Sequence, residues 1–161
     1  KPWAANGHGF SKKAGRTIIN SMYITTEALT EHNEVLQACY REIEANEVRY
    51  EAYNMENAEI VVTAFGTVAR IAKSAIDELK EEGINIGMIR PITLWPFPTK
   101  ALHDAAVAPG IKAVLDVELN AGQMLEDVKL AVKVVFFGHY GSQMPTPEEI
   151  KAKLLSMREV L

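Results

Sequence analysis

The chain has 161 residues, of which 48% are hydrophobic and 24% are charged. This size and composition suit one domain with a sizeable core. The net charge of −4 argues against a nucleic-acid-binding protein, because phosphate binding needs a concentrated basic surface. No apolar run reaches the roughly 18 residues that a membrane span needs, and we find no secretory signal. We therefore expect a cytoplasmic protein whose partners are neither nucleic acids nor membranes.

The first 57 residues predict a connecting segment that contains a long helix. Residues 1–30 are irregular in pattern, apart from a short apolar run at 17–20 that suits an additional strand. Residues 31–53 have a helical pattern with few apolar positions, which is typical of a helix lying across a surface. Cys39 falls on its apolar side, so we expect a buried thiol. As the one cysteine of the chain, it can form neither an internal disulfide nor an iron–sulfur cluster.

Residues 58–161 predict an α/β domain, and they begin with the clearest signal in the sequence. The run at 60–65 is apolar and β-branched, which is typical of a strand buried on both faces. A helix of period 3.6 follows and ends at Gly83, a residue type common just after helices. A second strand is expected at 84–89. This β-α-β unit predicts that the two strands are parallel and adjacent or nearly so.

Strands and helices continue to alternate along the rest of the chain. Three prolines within residues 90–98 predict an extended loop. We then predict a helix at 99–108, a strand at 111–119, a helix at 122–133, a strand at 134–137, and a last helix that starts after the N-cap Thr146 and runs to about Met157. Because no turn separates the helix at 122–133 from the next strand, we suspect that residues are missing between Lys133 and Val134. The whole pattern predicts a three-layer α/β/α sandwich with a mostly parallel sheet.

Most motifs of known chemistry are absent from the sequence. There is no glycine-rich dinucleotide motif, no phosphate-binding loop and no serine-nucleophile motif. The four histidines are scattered without metal-ligand spacing. We therefore assign no catalytic, cofactor-binding or metal-binding residue.

Polar side chains cluster where one predicted strand ends. Asp116 and Glu118 are two residues apart and so share one face of the strand, and Asn120 and Gln123 follow at the start of the next helix. Open α/β sheets bind ligands at the carboxyl ends of their strands, so these residues could form a rim that contacts a ligand or partner. Alternatively, the two carboxylates accept hydrogen bonds from nearby backbone or from Arg90. Both interpretations remain open.

The loop at 90–98 follows the end of another strand. Its aromatic residues, Trp95 and Phe97, could anchor an interface, because buried aromatic side chains dominate interface energies; alternatively, the loop packs on its own domain. The two strand ends together predict a candidate interface rim, facing a neighbouring domain or subunit, formed by Arg90, Trp95, Glu118, Asn120 and Gln123.

Three stretches carry a family resemblance: residues 64–70 (AFGTVAR), 87–98 (GMIRPITLWPFP) and 118–128 (ELNAGQMLEDV). Together with KPW at 1–3 and EVRYE at 47–51, they resemble the transketolase C-terminal-like domain of 2-oxoacid:ferredoxin oxidoreductases. Within that group, the residues of these motifs resemble most the α subunit of the 2-oxoisovalerate or 2-oxoglutarate type. The resemblance covers almost the whole chain, and its two longer motifs are specific.

The resemblance implies that the chain is one domain of a larger enzyme. That enzyme would oxidatively decarboxylate a 2-oxoacid with coenzyme A and pass the electrons to ferredoxin. Thiamine diphosphate, Mg²⁺ and iron–sulfur clusters would belong to the holoenzyme and not to this domain, which lacks the family's Gly-Asp-Gly diphosphate motif. The implied partners are the enzyme's other domains and its β and small ferredoxin-like subunits. The isolated domain is expected to be inactive and to support assembly.

Two other interpretations stay open. The chain could be the C-terminal domain of a pyruvate-dehydrogenase-type E1 β subunit or of a transketolase, although these proteins do not share the sequence motifs at 94–98 and 120–128. It could also be a free-standing α/β interaction module that kept the fold and lost the enzyme. The segment 1–57 resembles a connection from a preceding domain, which favours a piece of a larger enzyme. Nothing in the sequence identifies the 2-oxoacid.

Overall fold

The computed structural model describes residues 21–141 and 143–161, so the strand expected at 17–20 lies outside the described residues. The chain divides into two units, Lys1–Arg41 and Glu42–Leu161. The described elements, in chain order, are α1 Thr26–Asn46, β1 Tyr50–Tyr53, β2 Ile60–Thr63, α2 Gly66–Glu81, β3 Ile86–Pro91, α3 Thr99–Ala106, β4 Ala113–Glu118, α4 Leu125–Ala131, β5 Val135–Gly138 and α5 Pro147–Val160.

The N-terminal helix differs from the prediction at its end and in its burial. It stops at Asn46, and Tyr50–Tyr53 forms strand β1 instead of a continuation of the helix. This strand pairs antiparallel with β3, so tertiary pairing overrides the helical pattern. The expectation of a buried Cys39 was wrong: no residue of α1 is buried, and the thiol is exposed.

Five strands form one mostly parallel sheet in the described part of the chain, in the order β1-β3-β2-β4-β5. Strands β3, β2, β4 and β5 are mutually parallel, and β1 is the antiparallel edge. The predicted parallel pairing of the first two strands is confirmed, with Ile60 opposite Ile86 and Thr63 opposite Ile89.

Helices cover both faces of this sheet, which confirms the three-layer α/β/α architecture. On one face, α2 and α5 pack on Val62, Met88 and Leu115. On the other face, α3 and α4 pack on residues of opposite parity, such as Val61 and Val114. Because side chains alternate along a strand, even-numbered residues of β3 face α2, whereas even-numbered residues of β4 face α3 and α4.

Local signals set the ends of two helices as predicted. Gly83 follows α2 with a φ of 79°, a left-handed conformation that glycine adopts without steric cost. At the start of α5, the Thr146 side chain accepts a hydrogen bond from the Glu149 amide, and the Thr146 amide donates to the Glu149 carboxylate. This capping box confirms the predicted helix start.

Helix α4 is shorter than predicted. It spans Leu125–Ala131, whereas the pattern predicted residues 122–133. Residues 132–134 therefore form the connection to β5, and a joint of three residues is of ordinary length, since such joints usually take roughly two to six. The suspected loss of residues between Lys133 and Val134 is thus not needed to explain the joint.

Truncation of the core should show how strongly the α2 face depends on its packing. Ile76 is fully buried, so Ile76→Ala removes apolar contacts and leaves a cavity. We expect the free energy of unfolding, measured by urea denaturation, to fall by about 2–5 kcal/mol. Leu130 is 81% exposed, and Leu130→Ala is the matched control that should change stability by less than about 0.5 kcal/mol. Equal losses in the two variants would contradict the assigned packing.

Candidate interface rim at the carboxyl end of the sheet

A buried carboxylate organises the end of strand β4. Glu118 is the last residue of the strand and is fully buried. Its carboxylate accepts hydrogen bonds from the backbone amides of Met124 and Leu125 and from the side-chain amide of Asn120, each at 2.9 Å. Hydrogen bonds to a charged acceptor are stronger than neutral ones, and a buried carboxylate requires them. Glu118 thereby determines where the connection from β4 ends and α4 begins.

Asn120 completes the same loop. Its side-chain oxygen accepts hydrogen bonds from the backbone amides of Gly122 and Gln123, at 2.7 and 2.8 Å. This local turn is a typical use of asparagine. Gln123 is exposed at the outer side of the loop. The two residues that follow β4 in the predicted rim therefore lie beside Glu118, as expected, and the interpretation of Glu118 as an acceptor for nearby backbone is confirmed.

Asp116 has a different environment from Glu118, although both face α3 and α4. It is fully buried, and within the described residues no donor reaches either of its carboxyl oxygens. Burial raises its pKa from 3.8 to about 8, and the nearby Glu118 contributes through its charge. The protonated form of Asp116 is therefore favoured over the ionised form near neutral pH. Thr63, opposite it on β2, is also buried, and its hydroxyl likewise lacks a partner among the described residues.

Arg90 lies on the opposite face of the sheet. Its guanidinium donates to Glu51 on β1 at 3.1 Å, and Lys73 of α2 donates to the same carboxylate. Lys73, and to a lesser degree Arg90, hold the pKa of Glu51 below its usual value. The alternative in which Arg90 pairs with Asp116 or Glu118 was wrong, because the alternation of side chains places Arg90 toward α2.

The loop after β3 exposes a group of apolar side chains. Ile92, Leu94 and Trp95 are 56%, 47% and 54% exposed, respectively, whereas Phe97 packs against the α3/α4 core. The loop is held to the backbone before β1: the Thr93 amide donates to the Arg49 carbonyl at 3.1 Å, and the Arg49 amide donates to the Thr93 hydroxyl at 3.0 Å. Phe97 therefore packs on its own domain, whereas an interface role for the exposed Trp95 stays a prediction.

The structure therefore brings some of the predicted rim residues together and separates others. Glu118, Asn120 and Gln123 form one hydrogen-bonded loop, while Arg90 and Trp95 belong to the end of β3. Sequence reasoning missed Thr63 and Glu51. The β-favouring tyrosines at 50 and 53 were the available signal for the strand that carries Glu51.

Among residues 21–141 and 143–161, no three His, Cys, Asp or Glu side chains are grouped so that they could hold a metal ion. Within the same residues, no helix is long and apolar enough to cross a membrane.

Residues 58–150 match the family described as pyruvate:ferredoxin oxidoreductase core domain II. The chain belongs to this family. The ketoisovalerate oxidoreductase subunit VorB of Methanothermobacter marburgensis is 42% identical to this core domain II chain over 129 residues, which are 80% of the chain and 35% of the relative. The chain thus spans about a third of the length of that curated relative.

Two solved structures share the fold of this chain. The first is a 2-oxoglutarate:ferredoxin oxidoreductase from Magnetococcus marinus, with a TM-score of 0.71 and 17% identity, covering 83% of this chain and 24% of the other. The second is a split-gene transketolase, with a TM-score of 0.53 and 16% identity, covering 67% of this chain and 40% of the other. At these identities the likeness shows the fold alone, and it agrees with the predicted transketolase C-terminal-like architecture.

Removal of the Glu118 carboxylate should release the β4–α4 connection. Glu118→Ala leaves three donors without their acceptor, so we expect the free energy of unfolding to fall by about 2–4 kcal/mol. Hydrogen exchange at the Met124 and Leu125 amides should become faster. The control is Glu126→Ala, because Glu126 is exposed and its partner Lys129 lies on the surface. Unchanged exchange at both amides in Glu118→Ala would contradict this role.

Asp116 should make stability depend on pH. Because its pKa is higher in the folded chain, Asp116 favours folding most strongly below pH 3.8, and this contribution is lost as the pH rises to about 8. Over that interval the group can lower the free energy of unfolding by up to about 1.4 kcal/mol per pH unit. We expect Asp116→Asn to remove this part of the slope in urea titrations. An unchanged pH profile in the variant would show that Asp116 is ionised in the folded chain.

Proposed function

We propose that this chain is the C-terminal core domain II of the α subunit of a 2-oxoacid:ferredoxin oxidoreductase acting on 2-oxoisovalerate. The identity to the ketoisovalerate oxidoreductase subunit VorB carries the proposal. In the proposed reaction, the cytoplasmic holoenzyme oxidatively decarboxylates the 2-oxoacid to an acyl-coenzyme A and passes two electrons to ferredoxin. The domain itself supports assembly and holds no reacting group.

The rim residues do not fit thiamine diphosphate and its Mg²⁺. Magnesium requires several oxygen ligands in octahedral geometry, usually with carboxylates among them. The Glu118 oxygens are already engaged by three donors, and Asp116 is fully buried with a pKa raised to about 8. An iron–sulfur cluster requires several thiolates, and the chain has one cysteine. These groups therefore belong, in this proposal, to other parts of the enzyme.

Two kinds of residue at the rim support a role in assembly: buried residues that hold the loop in place, and exposed residues that can contact a partner surface. Glu118 and Asn120 act from inside as positioning residues, since their hydrogen bonds hold the loop. Trp95 and Gln123 are exposed and could contact a neighbouring domain or subunit directly. Charge reversal at the buried Glu118 would therefore damage folding as well as assembly, which makes Trp95 the better residue for a test.

We expect Trp95→Ala, placed in the whole parent subunit, to weaken assembly with the β and small ferredoxin-like subunits. An aromatic side chain at the centre of an interface is worth about 2 kcal/mol or more, so the dissociation constant should rise roughly 30-fold. Urea unfolding of the isolated chain should change much less. Val160→Ala is the control, because Val160 is 87% exposed at the end of α5.

The reaction is tested with the same assembled subunits. Coenzyme A-dependent reduction of ferredoxin should be faster with 2-oxoisovalerate than with pyruvate or 2-oxoglutarate. A preference for another 2-oxoacid would contradict the proposed substrate, and failure of the parent subunit to assemble with the others would contradict the proposed function. Normal assembly of Trp95→Ala would contradict the rim's role alone.

A further inference from the structure

A second surface lies at the amino end of the sheet, opposite the rim. It is a cleft of about 350 Å³ between the C-terminal ends of α3 and α4, next to the start of β4. Small and apolar side chains form most of its walls, including Val107, Ala131 and Val132. Val107 is 65% exposed, so part of the apolar wall faces solvent.

All the charged or titratable side chains that line this amino-end cleft are basic: His103, Lys112 and Lys133. Glu59, which lies outside the cleft lining, pairs with Lys112 at 3.1 Å but also with Arg158 at 3.1 Å, so one carboxylate is shared by two cations. Lys133 has no ion-pair partner within residues 21–141 and 143–161. The surroundings of the cleft therefore carry excess positive charge on a chain whose net charge is −4.

The cleft is held in shape by contacts across its walls. The His103 ring nitrogen Nδ1 lies 3.1 Å from the Ala131 carbonyl, which links α3 to α4. The Lys112 amide donates to the Glu59 carbonyl at 2.8 Å and fixes the start of β4. A site whose walls are already fixed loses little conformational freedom when it is filled.

The charge and the apolar walls together select the kind of ligand. The two lysines of the lining, Lys112 and Lys133, are too few for a nucleic acid, which is bound by a broader basic surface. A simple inorganic anion would leave the apolar wall uncovered. A peptide segment that carries a carboxylate beside an apolar side chain would match both features.

We propose that the amino-end cleft binds an acidic segment of another subunit of the oxidoreductase, with a carboxylate paired to Lys133 and an apolar side chain against Val107. This inference rests on the proposed function, since it takes the partner from the same enzyme. It gives the domain two attachment points, one at each end of its sheet. The amino-end contact is electrostatic and should weaken as salt is added.

Charge reversal in the assembled enzyme tests the proposal. Lys133→Glu in the whole parent subunit should raise the dissociation constant for the other subunits about tenfold at low ionic strength and reduce its salt dependence. Lys80→Glu is the matched control, because Lys80 is an exposed lysine of α2 on the other face of the sheet. Lys133→Ala, with a smaller effect in the same direction, serves if the reversal impairs folding.

Normal assembly of Lys133→Glu, or equal weakening by Lys80→Glu, would overturn the amino-end contact while leaving the proposed function in place. Failure of the wild-type subunit to assemble would overturn both. Titration of the assembled enzyme with inorganic phosphate separates a simple anion site from a peptide site: phosphate should leave assembly unchanged beyond its effect as a salt. Saturable phosphate binding that depends on Lys133, with no effect of the variant on assembly, would also overturn the proposal.

Discussion

A buried carboxyl group at the end of β4 governs this end of the domain. The buried oxygens of Glu118 need hydrogen-bond donors, and these are the amides of Met124 and Leu125 and the side chain of Asn120. The chain after β4 must therefore turn back over the carboxylate before α4 can begin. The short helix, the turn at Asn120 and the exposed position of Gln123 all follow from this one constraint.

Asp116 shows what happens to a buried carboxyl group that lacks a hydrogen-bond donor in the described part of the chain. It lies two residues earlier on the same face, but no donor among the described residues reaches it, and the charge of Glu118 is close. Burial and the nearby Glu118 both disfavour the ionised form of Asp116, so its pKa is raised to about 8. Of the two carboxyl groups, only that of Glu118 accepts hydrogen bonds from the rim loop and holds it in place.

The alternation of strands and helices and the parallel pairing of the first two predicted strands were predicted from the sequence, whereas features that depend on pairing between distant residues were not. The run at 60–65 and the stripe along α2 are local signals, and both predicted their elements. Strand β1 was missed because its four residues become a strand only by pairing with β3. The start of α4 was predicted three residues too early, at residue 122 instead of Leu125. The reason is similar, because the start of α4 depends on a hydrogen bond from the Leu125 amide to Glu118, seven residues back. Cys39 was misjudged because α1 has too few apolar residues to bury a face.

If the carboxyl-end rim becomes an interface in the intact oxidoreductase, assembly should shield Trp95 from solvent. The most direct measurement is the solvent accessibility of Trp95, reported by fluorine-labelled tryptophan incorporated only in this subunit, with every other tryptophan of the subunit replaced by phenylalanine. A soluble paramagnetic agent should broaden the Trp95 signal strongly in the free subunit, since the side chain is 54% exposed, and weakly after assembly. Equal broadening before and after assembly would contradict the account.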